Sequence, residues 1–159
     1  MANNLKNNEL KLNATNLIVF SWLDVGYEHV LNEEASVGVN VLISFNDNED
    51  IDLEEYRNFS ITPYYRHFFS KKYAQGFFVE GFGMLNSTKN EYVFDSFTNQ
   101  SVQDDKNYVD FALGVSIGAK FVTKRGFIAE FYFGIGRNLF NNSNLEVVGR
   151  GGISIGFKL

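Results

Sequence analysis

The sequence predicts an all-β chain folded as an eight-stranded antiparallel up-and-down transmembrane β-barrel. Three observations predict it. Eight stretches alternate apolar and polar residues with a period of two, the pattern of strands whose two faces meet different environments. The connections between them alternate short and long, as tight periplasmic turns and longer external loops do in transmembrane barrels. The face opposite the apolar one is built from Gly, Ser, Ala and Asn with isolated charges, which suits a crowded interior better than contact with water.

The first strand is expected over residues 9–15, with Leu10, Leu12 and Ala14 on one face. Residues 17–20 extend it or form the rim, and residues 1–8 read as a flexible N-terminal segment ahead of a barrel spanning 9–159. The second strand covers 22–30, where Leu23, Val25 and Tyr27 alternate with Asp24, Gly26 and Glu28. After a tight turn at 32–34, the third strand over 36–45 sets Val37, Val39, Val41, Ile43 and Phe45 against Ser36, Gly38, Asn40 and Ser44.

An acidic stretch follows to residue 57. The fourth strand, 59–69, contains the single proline, Pro63. Proline removes a ladder donor, so it marks a bulge or a locally unpaired position. The fifth strand, 76–85, turns Phe78, Glu80 and Phe82 inward, and 86–107 is the longest loop. The sixth strand, 108–121, has Phe111, Leu113, Val115, Ile117 and Phe121 facing one way. The seventh, 127–137, sends Phe127, Ala129, Phe131, Phe133 and Ile135 outward and Glu130, Gly134 and Gly136 inward. The eighth, 146–159, ends on Ile153, Ile155, Phe157 and Leu159. An even strand count brings both termini to the short-turn end, and closure pairs the first strand with the eighth.

Composition narrows the function classes. The 159 residues suit one domain, and aromatics are 16% of them, with 17 Phe and 8 Tyr. The net charge of −5 gives no electrostatic footprint for nucleic acid. Absence of cysteine removes thiolate metal sites, cysteine nucleophiles and disulfides, and no cofactor is expected. No apolar run approaches the length of a membrane-spanning helix. The polar, Asn-rich start is no export signal, so this reading expects one to have been removed.

A soluble ligand-binding barrel also alternates, but its water-facing set is rich in large polar side chains. Here the polar face carries small residues and charges of both signs. The register places Lys11, Arg66, Lys120, Arg150 and Lys158 inside with Asp24, Glu28, Glu80, Asp110 and Glu130. Arg66 and Glu80 flank one short turn on adjacent strands and are expected to meet. Buried charge is costly unless paired and hydrogen-bonded, and a balanced lumen network meets that demand. The outer face is nearly free of charge, and Trp22, Tyr27, Tyr65, Phe69, Tyr73, Phe121 and Phe127 fall near strand ends as candidates for interfacial girdles. Glycines 114, 118, 134, 136, 152 and 156 relieve crowding and allow curvature.

The strands resemble the small outer-membrane barrels of the OmpX and OmpA-transmembrane type, closest in texture to the outer-membrane β-barrel domains of Bacteroidota. The phrases that carry the resemblance are Tyr27-Glu28-His29-Val30-Leu31 with Ala35-Ser36-Val37-Gly38, Ile61-Thr62-Pro63-Tyr64-Tyr65-Arg66 and Gly76-Phe77-Phe78-Val79-Glu80-Gly81. The last strand is similar to the C-terminal signal read by the barrel-assembly machinery. Phe157 fits its aromatic position two residues before the last, while Leu159 departs from the usual final aromatic. The resemblance implies an integral outer-membrane address with periplasmic termini, contact with membrane lipid and lipopolysaccharide, and the assembly machinery as a partner during biogenesis.

No catalytic constellation stands out, and a non-enzymatic envelope protein is expected, acting structurally, through its loops, or as an accessory subunit of a larger complex. The alternative is a small lipid-modifying enzyme. Its nearest string, His67-Phe68-Phe69-Ser70, puts His and Ser three apart and therefore on opposite faces. The acidic 46–57 loop, with Asp47, Glu49, Asp50, Asp52, Glu54 and Glu55, lacks the glycine of an EF-hand turn and reads as solvated. It and the 86–107 loop, with Tyr92, Val93, Phe94 and Phe97, are the candidate surfaces for envelope protein partners.

Overall fold

The computed structural model describes residues 7–45, 57–89, 93–95, 100–102, 107–140 and 147–159. The elements are β1 (Asn8–Asn13), α1 (Ala14–Phe20), β2 (Trp22–Val30), β3 (Ala35–Ser44), β4 (Arg57–Phe68), β5 (Gly76–Lys89), β6 (Val93–Asp95), β7 (Gln100–Val102), β8 (Asn107–Val122), β9 (Phe127–Asn138) and β10 (Val147–Lys158). Eight strands close into one barrel in the order β1-β10-β9-β8-β5-β4-β3-β2. Every pairing in it is antiparallel, and closure is made by β1 between β10 and β2, with Leu12 opposite Ile155 and Val25. β6 and β7 form a separate two-stranded ladder in the connection between β5 and β8.

The alternation is expressed as expected. In β9 Glu130, Tyr132, Gly134 and Gly136 are buried while Phe131, Phe133 and Ile135 are exposed. Leu113 is 50% and Phe131 54% exposed, whereas Arg66 is 1% and Glu130 3% exposed. The apolar face therefore looks out and the charged face looks in. Pro63 interrupts the β4–β5 ladder without shifting it. Ile61 pairs with Leu85 and Tyr64 with Phe82 in one register, and the irregularity lies instead between Arg57 and Phe59. Of the two readings of Pro63, the locally unpaired donor is the one the register fits.

Several boundaries differ from expectation. β1 opens at Asn8 and ends at Asn13, and residues 14–20 form a helix instead of a strand end or rim. Asn13 caps it, its Oδ1 accepting from the Asn16 N–H at 3.1 Å, and Ser21 ends it in the left-handed region at φ 55°. The side-chain cap at the last residue of β1 overrides the strand preference of Ile18 and Val19. The fifth strand continues to Lys89, so the long loop starts later than residue 86 and carries its own β-ladder. The eighth strand is described from Val147 onward, and its expected first residue, Glu146, lies outside the described residues. So do 46–56 and, within the 86–107 loop, 90–92, 96–99 and 103–106.

Two girdle assignments are corrected. Trp22 is buried on the inner face, its ring stacked on Phe20 at 4.8 Å, because it shares parity with Asp24 and Glu28. Tyr73 packs partly buried against the interior cluster of Val30, Phe68, Ala74, Phe78 and Tyr132. Tyr27, Tyr65, Phe69 and Phe121 are exposed, and Phe127 is half-buried edge-on against Phe157 at 5.4 Å.

The interior is filled, as an eight-stranded barrel requires. A second apolar cluster, Tyr64, Phe82, Met84, Ala112 and Val148, lies toward the long-loop end. Small residues make room for its rings: a Cβ on Gly38 would sit 2.4 Å from Tyr64 Cζ, and one on Gly114 2.4 Å from Phe82 Cζ. Arg66 lies between the clusters, its Cζ 4.3 Å from the Phe78 ring centroid and 4.6 Å from that of Tyr64.

Candidate functional site

Inward parity on β1, β2, β4, β5, β8, β9 and β10 gathers the charged side chains into one connected array in the lumen. Lys120 Nζ reaches Glu9 Oε2 at 2.9 Å and Glu28 Oε1 at 2.8 Å. Glu28 also takes Lys11 and, at 2.8 Å, Arg66 Nη1, and accepts from the Tyr64 hydroxyl at 3.1 Å. Arg66 continues to Glu80 through Nε at 2.6 Å and to Glu130 through Nη1 at 2.8 Å and Nη2 at 3.1 Å. Lys11 Nζ meets Glu130 at 2.9 Å, and Arg150 Nη1 meets Glu80 Oε1 at 2.7 Å. Lys158 closes the short-turn end 3.7 Å from Glu9.

The predicted lumen residues Lys11, Asp24, Glu28, Arg66, Glu80, Asp110, Lys120, Glu130 and Arg150 all point inward. Asp24 is bound differently from the glutamates of the array. Asp24 is held by amides, accepting from Asn40 at 2.9 Å through Oδ1, and from Asn16 at 2.8 Å and Asn13 at 3.1 Å through Oδ2. Asp110 is buried toward the long-loop end, opposite Asn86 in the β5–β8 ladder. The predicted meeting of Arg66 and Glu80 is present, and they are direct register partners.

Sequence reasoning missed Glu9, Asn13, Asn16 and Tyr132. Glu9 and Asn13 share parity with Lys11, a signal that was available. Tyr132 shares parity with Glu130 and accepts from Asn13 Nδ2 at 3.2 Å. Asn16 has no parity signal, because its inward aim depends on the helix.

Chemically the array is a set of mutual clamps. Glu28 is shared by three cations and Arg66 by three carboxylates, in surroundings where a low dielectric strengthens each contact. The histidines are spent on the short-turn end. His29 Nδ1 lies 2.7 Å from Asn8 Oδ1, and His67 stands edge-on to Phe69 at 4.9 Å. Ser70 Oγ accepts from the Lys72 N–H at 3.1 Å within a turn. Among the described residues no group of three or more His, Cys, Asp or Glu is arranged to hold a metal ion. Phe157 and Leu159, the residues of the predicted assembly signal, lie exposed at the short-turn end, where the Leu159 N–H donates to Asn8 O at 2.8 Å. No family model, no curated protein and no solved structure matches the chain.

Proposed function

We propose that the protein is a non-enzymatic integral β-barrel of a bacterial outer membrane, with a plugged polar lumen and periplasmic termini. It serves envelope structure or presents its long loops to envelope partners. The observation that carries this reading is the inversion of the usual globular pattern. Ionised side chains fill the centre while Val115, Ile117, Phe131, Phe133 and Ile135 stand more than half exposed. Water penalises such a belt, and hydrocarbon does not.

Dimensions agree. β9 has 12 residues, and about 3.3 Å per residue tilted by about 45° spans the apolar band of about 25 Å. A closed barrel leaves no strand edge to lipid, which has no hydrogen bonds to offer. Among the described outward side chains of the strands, the Lys, Arg, Asp or Glu is Arg137, next to last in β9. Exposed Phe69, Phe77, Phe121 and Phe157 near the short turns make an aromatic rim of the kind found at membrane interfaces. The filled lumen supports a structural role over that of an open pore.

The test is refolding in phospholipid vesicles followed by flotation and protease challenge. The expected result is co-flotation with the strands protected and the long loops cleaved. A monodisperse, folded barrel in detergent-free buffer overturns the membrane reading. Turnover of labelled lipid A or phospholipid by the refolded protein overturns the non-enzymatic one.

A further inference from the structure

The barrel wall is not made of strands all the way round. β1 pairs with β10 only from Glu9 to Asn13, opposite Lys158 to Ser154, and with β2 only as far as Leu12 opposite Val25. Beyond those points β10 runs on through residues 147–153 paired with β9, and β2 through 22–24 paired with β3. Between them there is a seam where β1 would continue, and α1 occupies it.

The helix is latched to β10 by side chains. The Ile153 N–H donates to Thr15 Oγ1 at 2.9 Å, and Asn13 Nδ2 donates to Gly151 O at 3.1 Å. Gly152, at φ 134°, lets the helix start sit this close, since a Cβ there would fall 2.6 Å from Asn13 Oδ1. Inward, α1 sends Asn16 to Asp24. Outward, it presents Leu17, Ile18 and Val19, with Ile18 81% exposed.

The register locates this surface within the height of the wall. Ile153, where α1 is latched, pairs with Phe131 near the middle of β9, and Val147 lies six residues farther along β10. At about 3.3 Å per residue that is about 20 Å of strand, ample for a helix about 10 Å long. α1 carries no charged residue. It continues the apolar belt between Ile153 and Ile155 on one side and Leu23 and Val25 on the other.

We propose that α1 is a hydrocarbon-facing stopper in the barrel wall, with the acyl chains of the bilayer packed on Leu17, Ile18 and Val19. This rests on the membrane reading above. The helix takes the place of a strand without joining the ladder, keeping the Asp24 cluster behind it out of lipid.

The chain has no cysteine, so single-cysteine variants carry one spin label each. Labels are placed at Ile18→Cys, at Val115→Cys and Phe133→Cys in the belt, and at Leu31→Cys in a short turn. The protein is refolded in phosphatidylcholine vesicles, and collision with oxygen is compared with collision with a water-soluble nickel chelate. The expected result is an oxygen-favouring label at Ile18, shifted in the same sense as Val115 and Phe133 and opposite to Leu31. A nickel-favouring label at Ile18 with oxygen-favouring labels at Val115 and Phe133 overturns the proposal while leaving the membrane barrel intact. Nickel-favouring labels at all sites overturn both. Val19→Cys, also exposed, substitutes if Ile18→Cys fails to refold.

Discussion

Arg66 Nε donates to Glu80 Oε2 at 2.6 Å across the β4–β5 ladder, and the same guanidinium spends its other nitrogens on Glu28 and Glu130. One planar fork therefore holds three carboxylates from β2, β5 and β9. Removing it leaves those charges buried without their shared partner. We expect Arg66→Ala to lower stability by about 3–5 kcal/mol, the scale for breaking one side of a buried ion pair. Arg66→Lys should recover little, because a point ammonium cannot reproduce the fork. Denaturant unfolding in vesicles measures both, and a loss below about 1 kcal/mol in Arg66→Ala would show that the array relaxes around the gap.

Val115 is 60% exposed near the middle of β8, so its solvent decides what a charge there costs. In a bilayer Val115→Lys should destabilise the barrel by about 2–4 kcal/mol, and Val109→Lys, 58% exposed near the start of the same strand, by about 0–1 kcal/mol. On a water-facing surface both changes would be close to neutral. Equal, small effects at the two depths would argue that the belt does not lie in hydrocarbon.

Gly38 touches the Tyr64 ring where any side chain would intrude. Gly38→Ala should cost about 1–3 kcal/mol through overpacking. Tyr64→Leu in the same chain should return part of that loss, giving a coupling energy that a double-mutant cycle reads directly. Independent, additive effects would mean that the ring moves aside freely.

Parity explains most of what was legible in the sequence. Strand residues two apart share a face, so once Lys11, Glu28, Arg66 and Glu130 are read as inward, the array follows without knowledge of any distance. What parity cannot supply is which ions touch, because that depends on the shear between strands. Glu28 and Glu130 both reach Lys11 and Arg66 although they lie on β2 and β9, strands that do not pair. The helix was illegible for a different reason. Residues 14–20 contain Ile18, Val19 and Phe20, which favour strands, and only the Asn13 cap and the seam beside β10 make a helical turn the better solution. Trp22 was misplaced because an aromatic near a strand end suits a girdle, whereas its parity with Asp24 turns it inward.

Asn13 is where that local choice meets the lumen. Its Oδ1 caps α1, while the two hydrogens of its Nδ2 are shared among Asp24 at 3.1 Å, Tyr132 at 3.2 Å and Gly151 at 3.1 Å. If capping were its whole role, Asn13→Asp would be harmless, since aspartate and asparagine cap equally well, and Asn13→Ala would cost about 0.5–2 kcal/mol. The geometry requires the opposite order. Aspartate removes the donor and sets a second buried carboxylate against Asp24, so Asn13→Asp should be the more destabilising of the two. The single tryptophan gives a local readout: Trp22 stacks on Phe20, the last residue of α1, so its fluorescence should shift as the helix loosens. Greater stability for Asn13→Asp than for Asn13→Ala, with unchanged Trp22 emission in both, would reduce Asn13 to an ordinary cap and detach α1 from the lumen behind it.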